Sequence, residues 1–188
     1  MKQYRNAIRS KNLLKVALLD LLKEIDISKV TVKMVCDKSD LSRNTFYHHY
    51  ADVYEILEEI QAELEEKCVS SLDTVIESEC LEHVHDFFKT IFGFISENLD
   101  AIKAILQNDT GGRFVERIKV VMINRALRDN ESFHITNEKG YVMFLGILFS
   151  GVIDLIKQYI YHKTDLTKDE IADEAYKIFI AGYNIYSA

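Results

Sequence analysis

The chain has 188 residues, enough for one or two domains with a sizeable core. Its formal net charge of −7 by itself disfavours a polyanionic partner, and its three cysteines, an odd number, argue against a secreted disulfide framework. The N-terminal residues lack the apolar core of a signal peptide, and the one strongly apolar stretch, Gly140 to Ile153, is shorter than the about 20 residues that span a membrane. We therefore expect a cytoplasmic protein with no membrane partner.

The absence of proline and the presence of only seven glycines are typical of an almost wholly helical chain. Leu14, Leu18 and Leu21 repeat at helical spacing near the N-terminus, and no stretch combines strand alternation with hairpin turns. We predict an all-α fold of about nine helices, in which a three-helix N-terminal domain is followed by a larger helical domain.

The second helix is predicted to begin after residues 25–30, a β-branched run that we expect to be extended. Thr31 can cap this helix by accepting a hydrogen bond from an unpaired backbone N–H. Val35 and Cys36 would then face the core, whereas Lys33 would face water.

A third helix is predicted after the turn-forming residues 39–42, with Ser42 as its cap. Phe46 and Tyr50 lie four residues apart and share the inward face. The outward face offers polar groups and one fixed positive charge, which suit base edges and phosphates. Its members are Arg43, Asn44, Thr45, Tyr47 and His48. Two short helices joined by a polar turn, with such an exposed second helix, predict a helix-turn-helix DNA-binding element.

This region resembles the DNA-binding signature of the TetR (tetracycline repressor) family of transcription regulators over roughly residues 8 to 57. Three positions depart from the family pattern: Asp40 replaces a turn glycine, Asn44 replaces a frequent glycine, and Val53 replaces a phosphate-contacting lysine. Asp can adopt the left-handed turn conformation at modest cost, whereas Val53 removes one phosphate anchor. The matching residues are Thr31, Val32, Val35, Cys36, Leu41, Ser42, Arg43, Thr45, Phe46, Tyr47, His49 and Tyr50.

The charge distribution supports DNA binding independently of the resemblance. Residues 1–50 contain ten Lys or Arg and five Asp or Glu, whereas residues 51–188 contain 13 and 25. Cations near the N-terminus, among them Lys11 and Lys15, could contact phosphates. The complete predicted DNA-binding set is Arg5, Arg9, Thr31, Lys33, Ser42, Arg43, Asn44, Thr45, Tyr47 and His48.

The domain boundary is predicted inside a long fourth helix, which would begin near residue 52 and join the two parts rigidly. Residues 1–52 would bind DNA, and residues 53–188 would form the dimerisation and effector-binding domain. Within the larger part, helices are predicted at about 80–97, 99–107, 111–129, 137–162 and 167–186.

The last two helices are predicted to form a homodimer interface. Residues 141–161 are apolar nearly all round, which requires more cover than one small domain provides, although packing in a monomer is the alternative. In the TetR resemblance, two such helices from each chain make a four-helix interface, which implies a palindromic operator. The predicted interface residues are Gly146, Ser150, Gly151, Ile178 and Gly182.

The sequence gives less evidence for what would release the protein from DNA than for DNA binding itself. The resemblance implies a small-molecule effector, and 15 of the 20 aromatic residues follow Cys80. Such residues can line an apolar pocket, but more often they fill a core. The candidate pocket residues are Phe88, Phe92, Phe114, Phe144 and Asp154.

We predict neither enzymatic activity nor a cofactor, because the sequence has no glycine-rich phosphate loop and no nucleophile elbow. Cys80 and His83 share a helix face, but His85 is turned away, which disfavours a metal site. Two alternatives to a repressor stay open. One is a thiol redox switch through Cys68 and Cys80, and the other is a TetR-like co-activator that acts through a protein partner.

Overall fold

The computed structural model describes residues 2–76, 82–107, 111–128 and 134–187. Nine α-helices and no β-strand occur within these ranges, as predicted. One isolated antiparallel bridge joins Ile135 to Ser187. The helices are α1 (Lys2–Leu22), α2 (Val32–Ser39), α3 (Arg43–His49), α4 (Val53–Ile76), α5 (Glu82–Glu97), α6 (Leu99–Leu106), α7 (Gly111–Arg128), α8 (Glu138–Ile160) and α9 (Lys168–Tyr186).

The first compact unit comprises Met1–Glu66 and Asp100–Phe114. Within it, α1, α2 and α3 pack against one another. Leu14, Leu18, Val35 and Phe46 are completely buried, because apolar residues at helical spacing place one stripe of each helix in the shared core. This unit extends beyond residue 52, so the boundary between residues 52 and 53 stays a prediction about function.

The segment before α2 is not extended, contrary to the prediction. Ile27–Lys29 form a turn of 3-10 helix, and the side chain of Ile27 is 2% exposed. The Asp26 carboxylate accepts hydrogen bonds from the backbone N–H of Ser28 at 2.9 Å and from its hydroxyl at 2.6 Å. This local carboxylate turn outweighs the extended preference of the β-branched residues.

The second unit comprises Lys67–Leu99 and Val115–Ala188, and in it α9 packs against both α5 and α8. Its core includes Phe88, Tyr141 and Phe149. The predicted capping box at α9 is present: Thr167 Oγ1 accepts from the Glu170 N–H at 3.3 Å, and Glu170 accepts from the Thr167 N–H at 2.8 Å.

Helix α8 is long and apolar enough to cross a membrane by length and composition. An 18-residue segment of it has a mean hydropathy of 1.7, and 28% of that segment is buried. One such helix in the described part of the chain is weak evidence for a membrane span, because the core helix of a globular protein meets the same criteria.

Candidate nucleic-acid interface

Helix α2 begins and ends as its sequence predicts. Thr31 Oγ1 accepts a hydrogen bond from the Met34 N–H at 3.3 Å. At the other end, Asp40 adopts a left-handed conformation with φ 55° and ψ 38°, and its N–H donates to the Cys36 carbonyl. The Leu41 N–H reaches the same carbonyl at 3.1 Å. Asp40 therefore makes the turn that the resemblance assigns to glycine.

Helix α3 is short and held by its first turn and its buried face. Ser42 Oγ accepts from the Thr45 N–H at 3.0 Å, which confirms the predicted cap. The side chain of Phe46 is 0% exposed and that of Tyr50, directly after the helix, is 2% exposed. These two residues anchor α3 in the core of the first unit.

The opposite face of α3 meets solvent. Arg43, Asn44 and His48 are exposed, and the side chain of Tyr47 is 59% exposed. The Thr45 hydroxyl lies 2.8 Å from that of Ser42, so it already makes one hydrogen bond within the protein. Thr31, Lys33 and Ser42 are also exposed. The fold thus brings the predicted contacts of α2 and α3 onto one unit, while their binding to DNA stays a prediction.

The α1 cations differ in their availability. Arg9 is exposed and lines a cavity of about 340 Å³ beside the turn after α2, whereas the Arg5 side chain lies outside the described side chains. Lys15 has a side chain only 10% exposed and pairs with Glu59 at 2.8 Å and with Glu63. The prediction that Lys15 contacts a phosphate is therefore wrong, because its ammonium group is already paired with two carboxylates within the protein.

Lys11 and Lys15 join α1 to α4 through Glu59 and Glu63. Lys11 Nζ lies 2.9 Å from Glu59 Oε2 and 5.1 Å from the ring centre of Tyr50. Burial alone would raise the pKa of Glu59, but hydrogen bonds from Lys15 and Lys11 lower it to about 2. The matching four-residue spacing of the two lysines and the two glutamates was a usable signal that the sequence interpretation missed.

The N-terminus of α4 presents carboxylates where the TetR resemblance expects a cation. The Val53 side chain is buried, with 5% exposed. Asp52 Oδ1 accepts from the Glu55 N–H at 3.0 Å, and Glu55 Oε2 accepts from the Ala51 N–H at 2.6 Å. This helix start is therefore already occupied by negative charge.

His49, to which the sequence interpretation gave no role, connects α3 to α1. Its Nε2 lies 2.9 Å from Ser10 Oγ, and Ser10 is a buried residue of α1. Burial, followed by the charges of His48 and Lys11, lowers the pKa of His49 and so favours the neutral ring.

Comparison with known proteins connects this geometry to a fold family. No family model matches the sequence. An uncharacterized HTH-type transcriptional regulator of Bacillus subtilis (strain 168), YxbF, is 38% identical over 52 residues, which span 28% of this chain but only 14% of that protein.

Solved structures match nearly the whole chain. A TetR transcriptional regulator of Streptococcus agalactiae has a TM-score of 0.70 and 20% identity, covering 95% of this chain and 97% of that one. A proposed fatty acid metabolism regulator of Clostridium perfringens has a TM-score of 0.73 and 17% identity, covering 90% and 97%. The dihydroxyacetone kinase operon activator DhaS has a TM-score of 0.68 and 13% identity, covering 96% and 99%. The chain has the fold of the TetR-family transcriptional regulators.

Within this TetR fold, the predicted effector residues do not line a described cavity. Phe88, Phe92 and Phe114 are at most 5% exposed, and Phe114 belongs to the first unit, whereas the other four residues belong to the second. Asp154 is exposed and accepts from Gln158 Nε2 at 2.8 Å. The second unit has an open cavity of about 640 Å³, lined by Ser96, Tyr159, His162, Thr164, Leu166, Thr167, Lys168 and Asp169.

The last two helices of the TetR fold leave large apolar side chains exposed, and four of them are together called the exposed stripe below. The side chains of Met143 and Ile147 on α8 are 64% and 68% exposed, and those of Ile178 and Ile185 on α9 are 52% and 73% exposed. Ser150 and Gly151 are exposed on the same helix as Met143, and Gly146 is half-buried. Gly182 differs from its predicted partners, because it is buried and a Cβ there would overlap the ring of Phe144 in the same chain.

The described residues include only part of the proposed thiol and metal sites. Burial raises the pKa of Cys68 to about 11 and raises that of Cys36 as well, and the thiolate is the reactive form. Cys80 and the side chain of His83 lie outside the described part of the structure. His85 Nε2 bonds Asp173 Oδ1 at 2.6 Å, and no cluster with metal-ligand character occurs among the described residues.

Proposed function

We propose that the protein is a transcriptional regulator that binds double-stranded DNA through α2 and α3. The observation that carries the proposal is that α3, within a TetR fold, has one buried face and one exposed polar face. Phe46 and Tyr50 are buried on one side, and Arg43, Asn44 and His48 are exposed on the other. The local similarity to an HTH-type regulator of Bacillus subtilis supports the same function.

The exposed side chains of α3 and the half-buried Thr45 have proposed roles that follow from their hydrogen-bonding groups. Arg43 would bind guanine or phosphate, and Asn44 would form two hydrogen bonds to adenine. Tyr47 and Thr45 would donate to phosphates, and His48 would contact backbone or base. Around them, Thr31, Lys33, Ser42, Arg5 and Arg9 would bind the sugar-phosphate backbone.

The regulator would act as a homodimer. Met143, Ile147, Ile178 and Ile185 of the exposed stripe are each more than half exposed, and a second copy packed on these two helices would cover them. Two α3 helices about 34 to 36 Å apart would then enter successive major grooves of a palindromic operator. This assignment also accounts for the apolar character of α8 without a membrane, in keeping with a cytoplasmic protein.

Repression relieved by a small-molecule effector is the primary proposal for regulation. Phe88, Phe92 and the half-buried Phe144 remain the proposed apolar lining of the effector site, and occupancy would require these packed rings to move. No residue identifies the chemical class of this effector.

A TetR-like co-activator that contacts a protein partner is the second candidate. The acidic start of α4, with Val53 buried and the Asp52 and Glu55 carboxylates in place, supplies no cation for phosphate at that point. The similarity to DhaS, described as an operon activator, is consistent with this alternative.

Selection of bound duplexes from random and genomic DNA tests the primary proposal. We expect an approximately palindromic consensus whose recovery is lost in an Arg43→Ala/Asn44→Ala variant that remains folded. Absence of any sequence preference at low salt would favour the co-activator instead. A promoter reporter carrying the selected consensus then distinguishes repression from activation.

A further inference from the structure

Ser10 of α1 and His49 of α3 form a contact between two helices that no predicted DNA-binding role explains. Ser10 Oγ lies 2.8 Å from the Asn6 carbonyl, 3.1 Å from the Ala7 carbonyl and 2.9 Å from His49 Nε2. A hydroxyl has one hydrogen to donate, and the α1 carbonyls accept it. We therefore assign the Nε2–H of His49 as the donor to the Ser10 oxygen, which corresponds to the Nε2-protonated tautomer of that ring.

This contact lies at the end of a short helix, beside Tyr50, which anchors the chain directly after it. Helix α3 has seven residues, and so short a helix has little stability of its own. Ser42 caps its first turn, and Phe46 anchors its buried face. His49 is its last residue, directly after Tyr47 and His48 on the exposed face. Loss of the His49 contact would therefore remove the hydrogen bond to α1 at this end of α3 and leave its orientation to the apolar anchors Phe46 and Tyr50.

We propose that Ser10 and His49 are positioning residues, which fix the orientation of α3 for sequence-specific DNA binding. This inference rests on the proposed function. Base recognition requires hydrogen bonds within a few tenths of an ångström and favourable angles, so it depends on helix orientation. Long-range attraction between cations and phosphates tolerates such movement. The pair should therefore affect specific binding much more than non-specific binding.

The test uses the consensus duplex selected by the wild-type protein and a scrambled duplex of equal length. Binding is measured over a range of salt concentrations for Ser10→Ala, His49→Phe and the double variant. We expect up to about 10-fold weaker consensus binding for each, because binding must then restore an orientation of α3 that a hydrogen bond of about 1 kcal/mol no longer holds in the free protein. Scrambled-duplex binding and the salt slope should be unchanged, because Ser10 and the neutral His49 ring bring no charge to the interface. The double variant should lose little more affinity for the consensus duplex than either single variant, because both substitutions remove the same contact.

Conservative replacements separate positioning from folding. Ser10→Thr keeps the hydroxyl and His49→Gln keeps a donor at similar reach, so both should retain binding within about threefold of the wild type. Thermal unfolding of every variant ensures that binding is compared between folded proteins.

Two results would overturn the positioning role. One is Ser10→Ala with wild-type affinity for the consensus duplex. The other is a His49→Phe variant that weakens both duplexes equally and reduces the salt slope by about one, as expected for a direct phosphate contact. Failure of the wild-type protein to select any consensus would remove the proposed function itself, and this inference with it.

Discussion

Asp40 illustrates how one residue can meet a requirement usually met by glycine. Its φ of 55° lies in the left-handed region, and the N–H groups of Asp40 and Leu41 both bond the Cys36 carbonyl. Residues with a Cβ adopt this conformation at a cost of about 1 kcal/mol, which is smaller for Asp and Asn than for other types. The turn between α2 and α3 is thus stable without its expected glycine.

Replacing Asp40 by glycine is expected to raise the free energy of unfolding by up to about 1 kcal/mol, because relief of strain exceeds the added chain entropy. Asp40→Val should lower it by about 1–2 kcal/mol. Urea unfolding at neutral pH measures both. Asp37→Gly is the control: it lies in the regular part of α2, where glycine should lower stability by about 1 kcal/mol. Equal effects of the two glycine variants would contradict the argument.

Asn44 and Tyr47 should respond differently to substitution, because one is proposed to bind a base and the other a phosphate. Asn44→Ala should cost about 1–3 kcal/mol on the selected operator and relax preference at one base position. Tyr47→Phe should weaken all duplexes by similar factors. Repeating the duplex selection with each variant tests this difference. An unchanged consensus for Asn44→Ala would make the adenine assignment wrong.

At the level of elements, the sequence predicted helices well and contacts between them poorly. The caps at Thr31 and Ser42 were predictable because a hydroxyl residue bonds a backbone N–H only two or three positions away. The pairing of Lys15 with Glu59 was not predicted, because the partners are far apart in sequence and meet only once α1 packs beside α4. Likewise, no local pattern indicated that His49 would meet Ser10.

Glu59 makes the α1–α4 contact sensitive to acid. The pKa of its carboxyl is lowered from the usual 4.5 to about 2 in the folded protein. A group whose pKa falls on folding stabilises the protein above its unfolded pKa, and this stabilisation is lost as the pH falls towards the folded value. The contribution of Glu59 should therefore be complete near neutral pH and decline between about pH 4.5 and 2.

Glu59→Gln is expected to lower the free energy of unfolding by about 1–3 kcal/mol at pH 7, because Lys15 would lose a partner in a mostly buried place. The difference from the wild type should shrink as the pH is lowered to 2.5. Urea unfolding at several pH values measures it. The adjacent Glu58→Gln, at an exposed position, removes the same charge and should have little effect at any pH. A constant difference across the pH range would contradict the role of Glu59.

At the scale of the molecule, charge and apolar surface are unevenly distributed along the chain. The first 50 residues have a net charge of +5 and the rest of the chain −12, so the basic segment coincides with the proposed DNA-binding helices. The fold class was predictable because helical periodicity extends through the chain. The effector site was not, because core and pocket aromatics have the same sequence pattern, as the buried Phe88 and Phe92 illustrate.

The exposed stripe on α8 and α9 is the proposed interface of the homodimer, so substitutions there should separate its two subunits. Ile147 and Ile178 are more than half exposed, and a charge buried at either position in a dimer would lack a partner. Ile147→Glu and Ile178→Glu should therefore yield folded monomers, detected by light scattering after size-exclusion chromatography. Because one half-site contact then replaces two, operator affinity should fall by at least about 100-fold.

Val120→Glu provides the matched control for these dimer variants. Val120 is 46% exposed on α7, so the substitution adds the same charge at another exposed apolar position. It should leave both the dimer and operator binding intact. Dimers of unchanged stability in both Ile147→Glu and Ile178→Glu would exclude this stripe as the interface. Equal dissociation in all three variants would instead indicate a general effect of added charge, since only the stripe residues are expected to meet their copies across a twofold axis.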